Sequence, residues 1–417
     1  MRNILKKLIK NCHLIDGISD QVKENCWVLI NGNKIEDIGN CSKNEMPQVE
    51  EVIDAKYSYL LPGLINSHVH IERRHLHYRD RGVFRESATH VASCSDSKRM
   101  VLAIKNAWDE LKHGITTIRD CASQNRVAND LRDIIIKDNI IKGPRIIACG
   151  FGIACTGGHG THRANISIEA DGADEIRKAV RMEIKNGAEF IKLMASAGIG
   201  GLPECEHPEW VELTEEELKA GIDEAHNRGK TTTIHGMAPK AIINALKAGI
   251  DGIEHGTKLS QEALDIMSQR GVYLVPTMSG ITEVAEREEQ TGSKNLSKLI
   301  MDLVVLPQRK SVSEAYKKGI KIGCGTDSLG DMIREMELLN NECGIPKMEC
   351  IKAATSNAAK ICGKENEIGS VEKGKNADLI IVEGNPLEKL SVLRNIRKVI
   401  KGGDVVTANW MCHLQGL

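Results

Sequence analysis

Residues 228–236 read RGKTTTIHG and residues 248–256 read AGIDGIEHG, and this unit decides the fold. Each copy has a glycine at the end of a helical stretch and then a short, largely apolar run with β-branched residues. The glycine fits the position just after a helix, where a left-handed residue closes the last turn. The apolar run predicts a parallel strand that is buried on both faces.

The same unit recurs along the middle of the chain. Four further copies read HGITTIRD, NGAEFIKLMAS, RGVYLVPTM and KGIKIGCGTD, and they begin at residues 113, 186, 270 and 318. Two more runs, LLPGLINSHVH from residue 60 and PRIIACG from residue 144, fit the series of strands. Eight strands that alternate with helices predict a (β/α)8 TIM-like barrel, with an open eight-stranded sheet as the alternative.

Two of the intervening helices carry recognisable start signals. Thr214 followed by Glu217 is the pattern of a capping box, in which each residue hydrogen-bonds the backbone of the other. Pro239 suits the first turn of the helix that ends before Gly249, because proline lacks the N–H that a first turn leaves unpaired. Both signals place helices between the predicted strands.

The two ends of the chain have a different pattern. Short alternating runs such as CWVLINGNKIEDIG, with Asn31-Gly32 as a hairpin signal, occur before residue 58. The runs DLIIVEG and IRKVIKGGDVV after residue 366 are similar to them. Neither end can bury a sheet alone, so we expect one small composite β-sandwich domain. The predicted domains are residues 1–58 and 366–417 for the sandwich and 59–365 for the barrel.

The composition is that of a globular protein, with 41% hydrophobic and 27% charged residues among 417. A net charge of -1 and an aromatic content of 3% argue against nucleic-acid binding, and no apolar run is long enough to span a membrane. The 13 cysteines are dispersed without a CxxC pair, which favours free thiols in the cytoplasm. We also expect a homo-oligomer that acts on a small molecule.

Metal-binding residue types stand at the C-terminal ends of the predicted strands, where barrel active sites form. They are His68, His70, Lys192, His235, His255 and Asp327. Side chains alternate along a strand, so residues 68 and 70 can bind one ion. Imidazole and carboxylate suit zinc and tolerate manganese, iron or cobalt. We predict a divalent metal centre that activates water, with Asp327 as the general base that passes the proton to the leaving nitrogen.

Lys192 is unusual because apolar residues flank it in FIKLMAS. An unpaired ammonium in such a strand would be costly to bury. One interpretation is a lysine paired with a carboxylate elsewhere in the chain. The other is a carbamate, formed with carbon dioxide, whose oxygens bridge two metal ions. The spacing of the residues leaves both interpretations open.

These residues resemble the amidohydrolase superfamily, which has HxH on strand 1, lysine on strand 4, histidines on strands 5 and 6 and aspartate on strand 8. The runs AATSNAAKICG and IGSVEKGKNADLIIVEGNPL are typical of the branch with a composite β-sandwich and resemble imidazolonepropionase-related enzymes. TGGHG at 156–160, DGADEIRKAVRMEIKNGAEFIKLMAS and GTDS are similar to the prolidase-like Xaa-Pro and Xaa-Arg dipeptidases. The stretch ASAGIGGLPECEHPEW, at residues 195–210, departs from the pattern of that group.

The resemblance implies two divalent metal ions, expected to be zinc, with a carbamylated Lys192 bridging them. His68, His70 and Asp327 would bind one ion, and His235 and His255 the other. It also implies hydrolysis of an amide or peptide C–N bond in a dipeptide or N-acyl amino acid. The alternative is hydrolysis of a cyclic amide or amidine, or deamination of a heterocycle. A deaminase usually uses one metal without the carbamylated lysine, so Lys192 weighs against it.

A third alternative, a non-catalytic binding protein, would have lost a ligand or the aspartate, whereas all six positions are filled. The resemblance also implies that His159, in a glycine-rich loop, contacts the carbonyl or carboxylate of the substrate, and the alternative is that this loop only forms a turn. Arg163 is predicted to bind an anionic group of the substrate, with a solvated surface position as the alternative. The basic loop at residues 73–81, with His75 and His77, has no assigned role.

Overall fold

The structure is a computed structural model that describes residues 6–73, 90–162 and 165–407 of the chain. The described residues form an α/β fold with one mixed sheet and two parallel sheets. Helices follow most of the parallel strands and cover them. The α/β class with parallel strands, as expected from the repeated unit, is confirmed.

The mixed sheet has eight strands and draws them from both ends of the described chain. They are β1 (Lys6–Leu14), β2 (Lys23–Asn31), β3 (Lys34–Asn40), β4 (Glu51–Asp54), β5 (Tyr59–Pro62), β15 (Leu379–Val382), β16 (Ile396–Lys401) and β17 (Asp404–Val405). Their order is β17-β16-β15-β5-β1-β2-β3, and β4 pairs with β1. The predicted hairpin is present, since Asn31 pairs with Lys34 across the turn between β2 and β3.

The two chain ends join where β15 pairs with β5 in antiparallel register. Buried residues from both ends, among them Ile9, Leu60, Leu379 and Ile400, then pack into one apolar cluster. The expected combination of the two ends is therefore confirmed at the level of this shared sheet. The domain limits at residues 58 and 365 stay predictions.

The parallel strands form two sheets, of three and of six strands. The smaller contains β6 (Leu64–Val69), β7 (Ile115–Asp120) and β8 (Arg145–Ala148). The larger contains β9 (Gly152–Ala154), β10 (Ser167–Glu169), β11 (Phe190–Met194), β12 (Thr231–Gly236), β13 (Gly252–His255) and β14 (Tyr273–Val275). The larger sheet runs in the order β10-β9-β11-β12-β13-β14.

The segment around residues 320–327 lies between β14 and β6, where an eighth barrel strand was predicted. It forms only isolated parallel bridges, from Ile322 to Leu274 and from Asp327 to Val69. The hydrogen-bonded ladders of the described residues therefore do not run continuously round a closed barrel.

The predicted first strand is also different, because the run from Leu60 is divided at Gly63 between β5 of the mixed sheet and β6 of a parallel sheet. A side chain on Gly63 would lie 2.2 Å from the hydroxyl oxygen of Thr116. This close approach of β7 explains why the chain changes sheets at a glycine, and periodicity alone could not reveal it.

Twelve α-helices are described. They are α1 (Asp96–Lys112), α2 (Val127–Ile136), α3 (Gly172–Lys185), α4 (Glu215–His226), α5 (Pro239–Ala248), α6 (Gln261–Arg270), α7 (Met278–Gln290), α8 (Lys294–Ile300), α9 (Leu306–Lys317), α10 (Met332–Asn341), α11 (Lys347–Ala353) and α12 (Ser356–Ile361). The capping box of Thr214 and Glu217 opens α4, and Pro239 lies in the first turn of α5. Gly249 ends α5 at a φ of 98°, as predicted.

The structure also bears on the cysteines and on the length and polarity of the helices. All the described cysteines are free thiols. Within residues 6–73, 90–162 and 165–407, every helix is too short or too polar to cross a bilayer.

Candidate metal centre and its cavity

All six predicted ligands line one cavity at the C-terminal ends of the parallel strands. His68 is in β6, Lys192 in β11, His235 in β12 and His255 ends β13. His70 follows β6 directly, and Asp327 pairs with Val69 beside it. The four strands β6, β11, β12 and β13, together with the segment that pairs with Val69, therefore bring these side chains into one cavity. This is the end of the parallel strands at which the sequence placed them.

The imidazole rings form a continuous row across the floor of the cavity. Ring centroids are 5.4 Å apart for His70 and His68, and 5.1 Å apart for His68 and His255. The row continues from His255 to His235 at 4.5 Å and from His235 to His159 at 4.0 Å. Five imidazoles in one row therefore bring several ring nitrogens to the cavity.

One group of side chains has the geometry of a metal site. Ligand atoms of His68, His70 and Asp327 all lie within 4.8 Å of one another. Nε2 of His70 and Oδ1 of Asp327 are 3.5 Å apart, which is too long for a good hydrogen bond. A divalent ion at about 2.0–2.2 Å from each donor fits this separation.

His68 is held from behind by a buried carboxylate. Its Nδ1 donates to Oε2 of Glu254 at 2.8 Å, which leaves Nε2 free for a ligand. Oε1 of Glu254 in turn accepts from Arg119 at 2.8 Å and from the hydroxyl of Thr233 at 2.7 Å. Burial opposes ionisation of Glu254, but the cationic Arg119 together with His68 and Lys192 holds the pKa of Glu254 well below its usual range. Such a carboxylate orients a metal-binding histidine and raises its basicity.

Two other histidines are oriented through their Nδ1 atoms as well. Nδ1 of His70 donates to the carbonyl of Ala122 at 2.7 Å. Nδ1 of His255 lies 2.6 Å from the hydroxyl of Thr277, which itself donates to the carbonyl of Pro276. Because the hydroxyl proton of Thr277 is used there, Nδ1 of His255 is the donor. In both rings the lone pair is therefore on Nε2.

Buried polar atoms without partners mark the middle of the site. Nζ of Lys192 and Nε2 of His235 make no hydrogen bond with any described residue. An unsatisfied buried polar group costs about 1–3 kcal/mol. Burial lowers the pKa of Lys192 and also lowers that of His235 well below its usual range. A neutral imidazole and a weakly basic amine beside it suit a cation site, so these residues fit the expected metal group.

Asp327 remains ionised in this setting. Burial alone would raise its pKa, but the imidazoles of His70, His68 and His255 hold the pKa below its usual range. Its Oδ1 accepts from the backbone N–H of Ser328 at 2.6 Å. A carboxylate that stays charged can accept a proton from a nucleophile throughout the neutral range.

The backbone is strained at three of these positions. His255, Thr277 and Asp327 have φ values of 71°, 55° and 54° in the left-handed region. This region disfavours residues with a side chain, and such strain clusters at functional sites. Two of the three residues, His255 and Asp327, have side chains that line the cavity.

The other predicted contacts are placed differently. His159 lines the cavity, and its Nδ1 lies 3.1 Å from Oε1 of Glu206. Arg163, His75 and His77 lie outside the described residues, as does the basic loop apart from Arg73. Arg73 is buried, lines the cavity and lies 3.7 Å from Glu72.

One side of the cavity is apolar. Its described lining residues on that side are Ile199, Met237, Ile281, Val284 and Leu329. The five belong to a separate buried apolar cluster or pack against it. The cavity therefore combines a polar floor with an apolar wall, which is typical of a site for a small organic ligand.

Several of these residues were not predicted from the sequence. Glu254 and Arg119 are charged residues in buried strands, so the reasoning that singled out Lys192 could have found them. Thr277 and Glu206 lie in loops with no distinguishing pattern. Only the folded chain shows that they contact His255 and His159.

Histidines and a carboxylate at the C-terminal ends of parallel strands define the metal-dependent hydrolases of this fold. The profile of the Amidohydrolase family matches residues 59–406. The chain belongs to the amidohydrolase family, and it is a hydrolase that acts on C–N bonds. The family predicted from the sequence is confirmed.

Individual relatives agree with this assignment. Ochratoxinase of Aspergillus niger is 30% identical over 377 residues, which cover 83% of this chain and 75% of the relative. A crystal structure of a Xaa-Pro dipeptidase with bound methionine in the active site is 32% identical, with a TM-score of 0.83 over 97% of this chain and 100% of that one. Imidazolonepropionase of Caldanaerobacter subterraneus is 22% identical over 92% of this chain and 91% of the relative.

Proposed function

We propose that the protein hydrolyses the amide bond of a dipeptide or N-acyl amino acid that carries an apolar residue. The observation that carries the proposal is the cavity itself, in which Asp327 and the imidazole row face the apolar wall. A scissile carbonyl above the polar floor would then place an apolar side chain against Ile281 and Leu329. The bound methionine in the similar Xaa-Pro dipeptidase is an apolar amino acid and supports this class.

The proposed metal group is a pair of divalent ions, expected to be zinc. His68, His70 and Asp327 would hold one ion, while His235 and His255 would hold the other. The close grouping of the first three supports this division. When bound, the ions would polarise the carbonyl and make a nearby water more acidic.

Lys192 would carry the bridging carbamate. In that step Nζ of the uncharged amine forms a bond to the carbon of carbon dioxide and releases one proton. The lowered pKa of Lys192, caused by burial, favours the uncharged amine that this step needs. The carbamate would provide a bonding partner for the buried Nζ, which makes no hydrogen bond with any described residue.

The side chains of this protein would perform the proton transfers. Asp327 accepts the proton of the nucleophilic water and passes it to the leaving nitrogen. His159, whose ring lines the cavity, hydrogen-bonds the carbonyl or carboxylate of the substrate. Arg163 remains a proposed contact for an anionic group.

The proposed barrel is compatible with this site. The bridges of residues 322 and 327 to the strands on either side support a (β/α)8 arrangement with an irregular eighth strand. A cytoplasmic homo-oligomer without nucleic-acid or membrane partners stays a prediction.

The test is a hydrolysis screen on protein loaded with zinc or manganese in the presence of bicarbonate. Dipeptides and N-acyl amino acids with apolar residues are compared with cyclic imides and heterocyclic amines. We expect turnover of the first group and its loss in Asp327→Asn. Turnover confined to the cyclic compounds would favour the activity type of the imidazolonepropionase relative and overturn the proposal.

A further inference from the structure

Buried polar side chains join the end of β6 to the end of β7. Asp120, the last residue of β7, is fully buried and pairs with Val69 in the parallel ladder. Its Oδ2 accepts from the backbone N–H of Ile71 at 2.8 Å. Its Oδ1 accepts from the backbone N–H of Ala122 in a longer hydrogen bond of 3.3 Å. One carboxylate therefore connects the residue after His70 to the loop that follows β7.

The same two segments are also joined by side chains from other positions. Oε1 of Glu72 accepts from the backbone N–H of Gln124 at 3.0 Å. The side-chain amide of Asn106, on α1, donates to the backbone carbonyl of Ile71 at 2.8 Å. Glu72 and Asn106 are 0% and 1% exposed. Buried side chains thus bind both backbone polar groups of Ile71, and this fixes the chain directly after His70.

The backbone of Ala122 links this network to the imidazole of His70. The carbonyl of Ala122 accepts from Nδ1 of His70 at 2.7 Å, so its position sets the orientation of the ring. Ala122 has a φ of 143°, which residues with a side chain rarely adopt. Such a conformation persists only where the surrounding structure holds it. The hydrogen bond from the N–H of Ala122 to Asp120 is one of the contacts that hold it.

We propose that Asp120 is a positioning residue for His70, because it holds both the chain after this histidine and the carbonyl that bonds its ring. Asp120 is not among the described residues that line the cavity, and the backbone occupies both of its oxygens. The inference rests on the proposed metal ion between His68, His70 and Asp327. It goes beyond that ion by assigning the side chain that keeps one ligand in place.

The substitution Asp120→Asn removes this function while keeping the size of the side chain. Asparagine has one oxygen and one NH2 group in place of the two carboxylate oxygens. Whichever way the amide is turned, its NH2 group faces a backbone N–H, that of Ile71 or that of Ala122. Because two donors cannot hydrogen-bond each other, one of the two segments that hold His70 is released.

The first test measures zinc binding by competition with a coloured chelator. We expect Asp120→Asn to weaken the binding of one ion by about 10- to 100-fold, as does the loss of the partners that support a ligating histidine. Asp16→Asn is the matched control, because Asp16 also accepts from two backbone N–H groups, those of Ile18 and Ser19, and lies beside the mixed sheet. The control should bind zinc as the wild type does. Wild-type affinity in Asp120→Asn would overturn the proposal.

A His70→Ala background separates positioning from a general structural role. Asp120→Asn should cause no further loss of zinc affinity there, because its effect passes through the missing imidazole. Asn106→Leu removes the other hydrogen bond to Ile71 and replaces Asp120→Asn if that variant does not fold. It should weaken zinc binding in the wild-type background and leave it unchanged in His70→Ala. A further loss in the His70→Ala background contradicts the assignment to His70.

The motion of the His70 ring gives a readout that depends neither on metal nor on activity. Carbon-13 relaxation at Cε1 is measured in histidine-labelled protein without added metal, and the His70 signal is assigned by its absence in His70→Ala. We expect a rigid ring in the wild type and a mobile ring in Asp120→Asn. An equally rigid ring in both would show that Asp120 does not position His70. This difference in a wild-type protein that binds no zinc would support the positioning role and contradict the proposed metal centre instead.

Discussion

Nδ1 of His68 donates to the carboxylate of Glu254 at 2.8 Å, and both side chains are buried. Glu254 connects this ligand to the guanidinium of Arg119, which also bonds the hydroxyl of Tyr273 at 2.9 Å and lies 3.9 Å from the ring centre of Phe190. These contacts link strands β6, β7, β13 and β14 beside the candidate metal centre. Because an ionised carboxylate strengthens an imidazole ligand, Glu254 should control how tightly the ion is held.

Glu254→Gln is therefore expected to weaken metal binding by about 10- to 100-fold. The amide of glutamine lacks the negative charge that supports His68. Its NH2 group would also face either His68 or Arg119, and both of these already donate a hydrogen bond to residue 254. Metal content after dialysis against graded chelator measures the effect. Glu183→Gln is the matched control, because Glu183 is a buried carboxylate that pairs with Arg126 outside the cavity. Equal metal retention in both variants would show that Glu254 has no such role.

Lys192→Ala is expected to lose the bridging group and with it about half of the bound metal. Carbon-13 NMR of protein exchanged into labelled bicarbonate should show a carbamate signal in the wild type that this variant lacks. Formate or acetate should restore part of its activity by supplying a carboxylate to the cavity.

Lys401→Ala provides the comparison for Lys192→Ala, since Lys401 is a largely buried lysine that pairs with Asp378 at 2.9 Å in the mixed sheet. It should keep the signal and the metal. An active wild-type enzyme without a carbamate signal would contradict the proposed bridge.

Much of the fold could be predicted because glycine and strand signals are local. A glycine at positive φ ends a helix whatever surrounds it, as Gly249 and Gly271 do. The division at Gly63 could not be predicted, because it depends on the approach of Thr116 from a distant part of the chain. The run from Lys318, predicted as the eighth strand, likewise forms only isolated bridges, to Leu274 and Val69, which local sequence signals could not reveal.

The site divides in the same way. The six predicted ligands were recognisable because their residue types recur at strand ends, and strand ends meet at one edge of parallel sheets. Their supporting partners were not recognisable, because a carbonyl such as that of Ala122 exists at every position. Only the tertiary structure brings the hydroxyl of Thr277 to His255 and the carboxylate of Glu206 to His159.

A buried carboxylate away from the ligands predicts how stability depends on pH. Burial raises the pKa of Glu335 to about 7, although the backbone N–H groups of Ser279 and Met278 oppose the shift. Between pH 4.5, the ordinary pKa of a glutamate, and about pH 7, the folded chain therefore holds this proton while the unfolded chain releases it. Glu335 therefore makes its full contribution to the free energy of unfolding below pH 4.5. That contribution, roughly 3 kcal/mol, is lost as the pH rises to about 7.

Glu335→Gln should flatten this part of the pH dependence. Thermal unfolding followed by circular dichroism between about pH 5 and pH 8 measures it, with the midpoint of the wild type falling more steeply. Glu337→Gln, on the same helix but partly exposed, should follow the wild type. Parallel curves for wild type and Glu335→Gln would show that Glu335 does not titrate in this range.

The apolar wall predicts which substrates the enzyme prefers. Ile281 on α7 is 2% exposed, and its neighbour Gly280 lies so close to Asp327 that an added side chain would be 3.1 Å from Cβ of that residue. A substrate side chain beside the reacting carbonyl should therefore contact Ile281. Ile281→Ala is expected to lower kcat/KM for dipeptides with a large apolar residue by about tenfold or more.

The same variant should change kcat/KM for the corresponding glycine-containing dipeptides much less, because they leave the wall uncovered. Val101→Ala removes an exposed apolar side chain from α1. It should change kcat/KM neither for dipeptides with a large apolar residue nor for those with glycine. Steady-state kinetics on matched pairs of dipeptides provide the measurement. A uniform loss for large and small residues would place Ile281 in the support of Asp327 rather than in the recognition of the substrate.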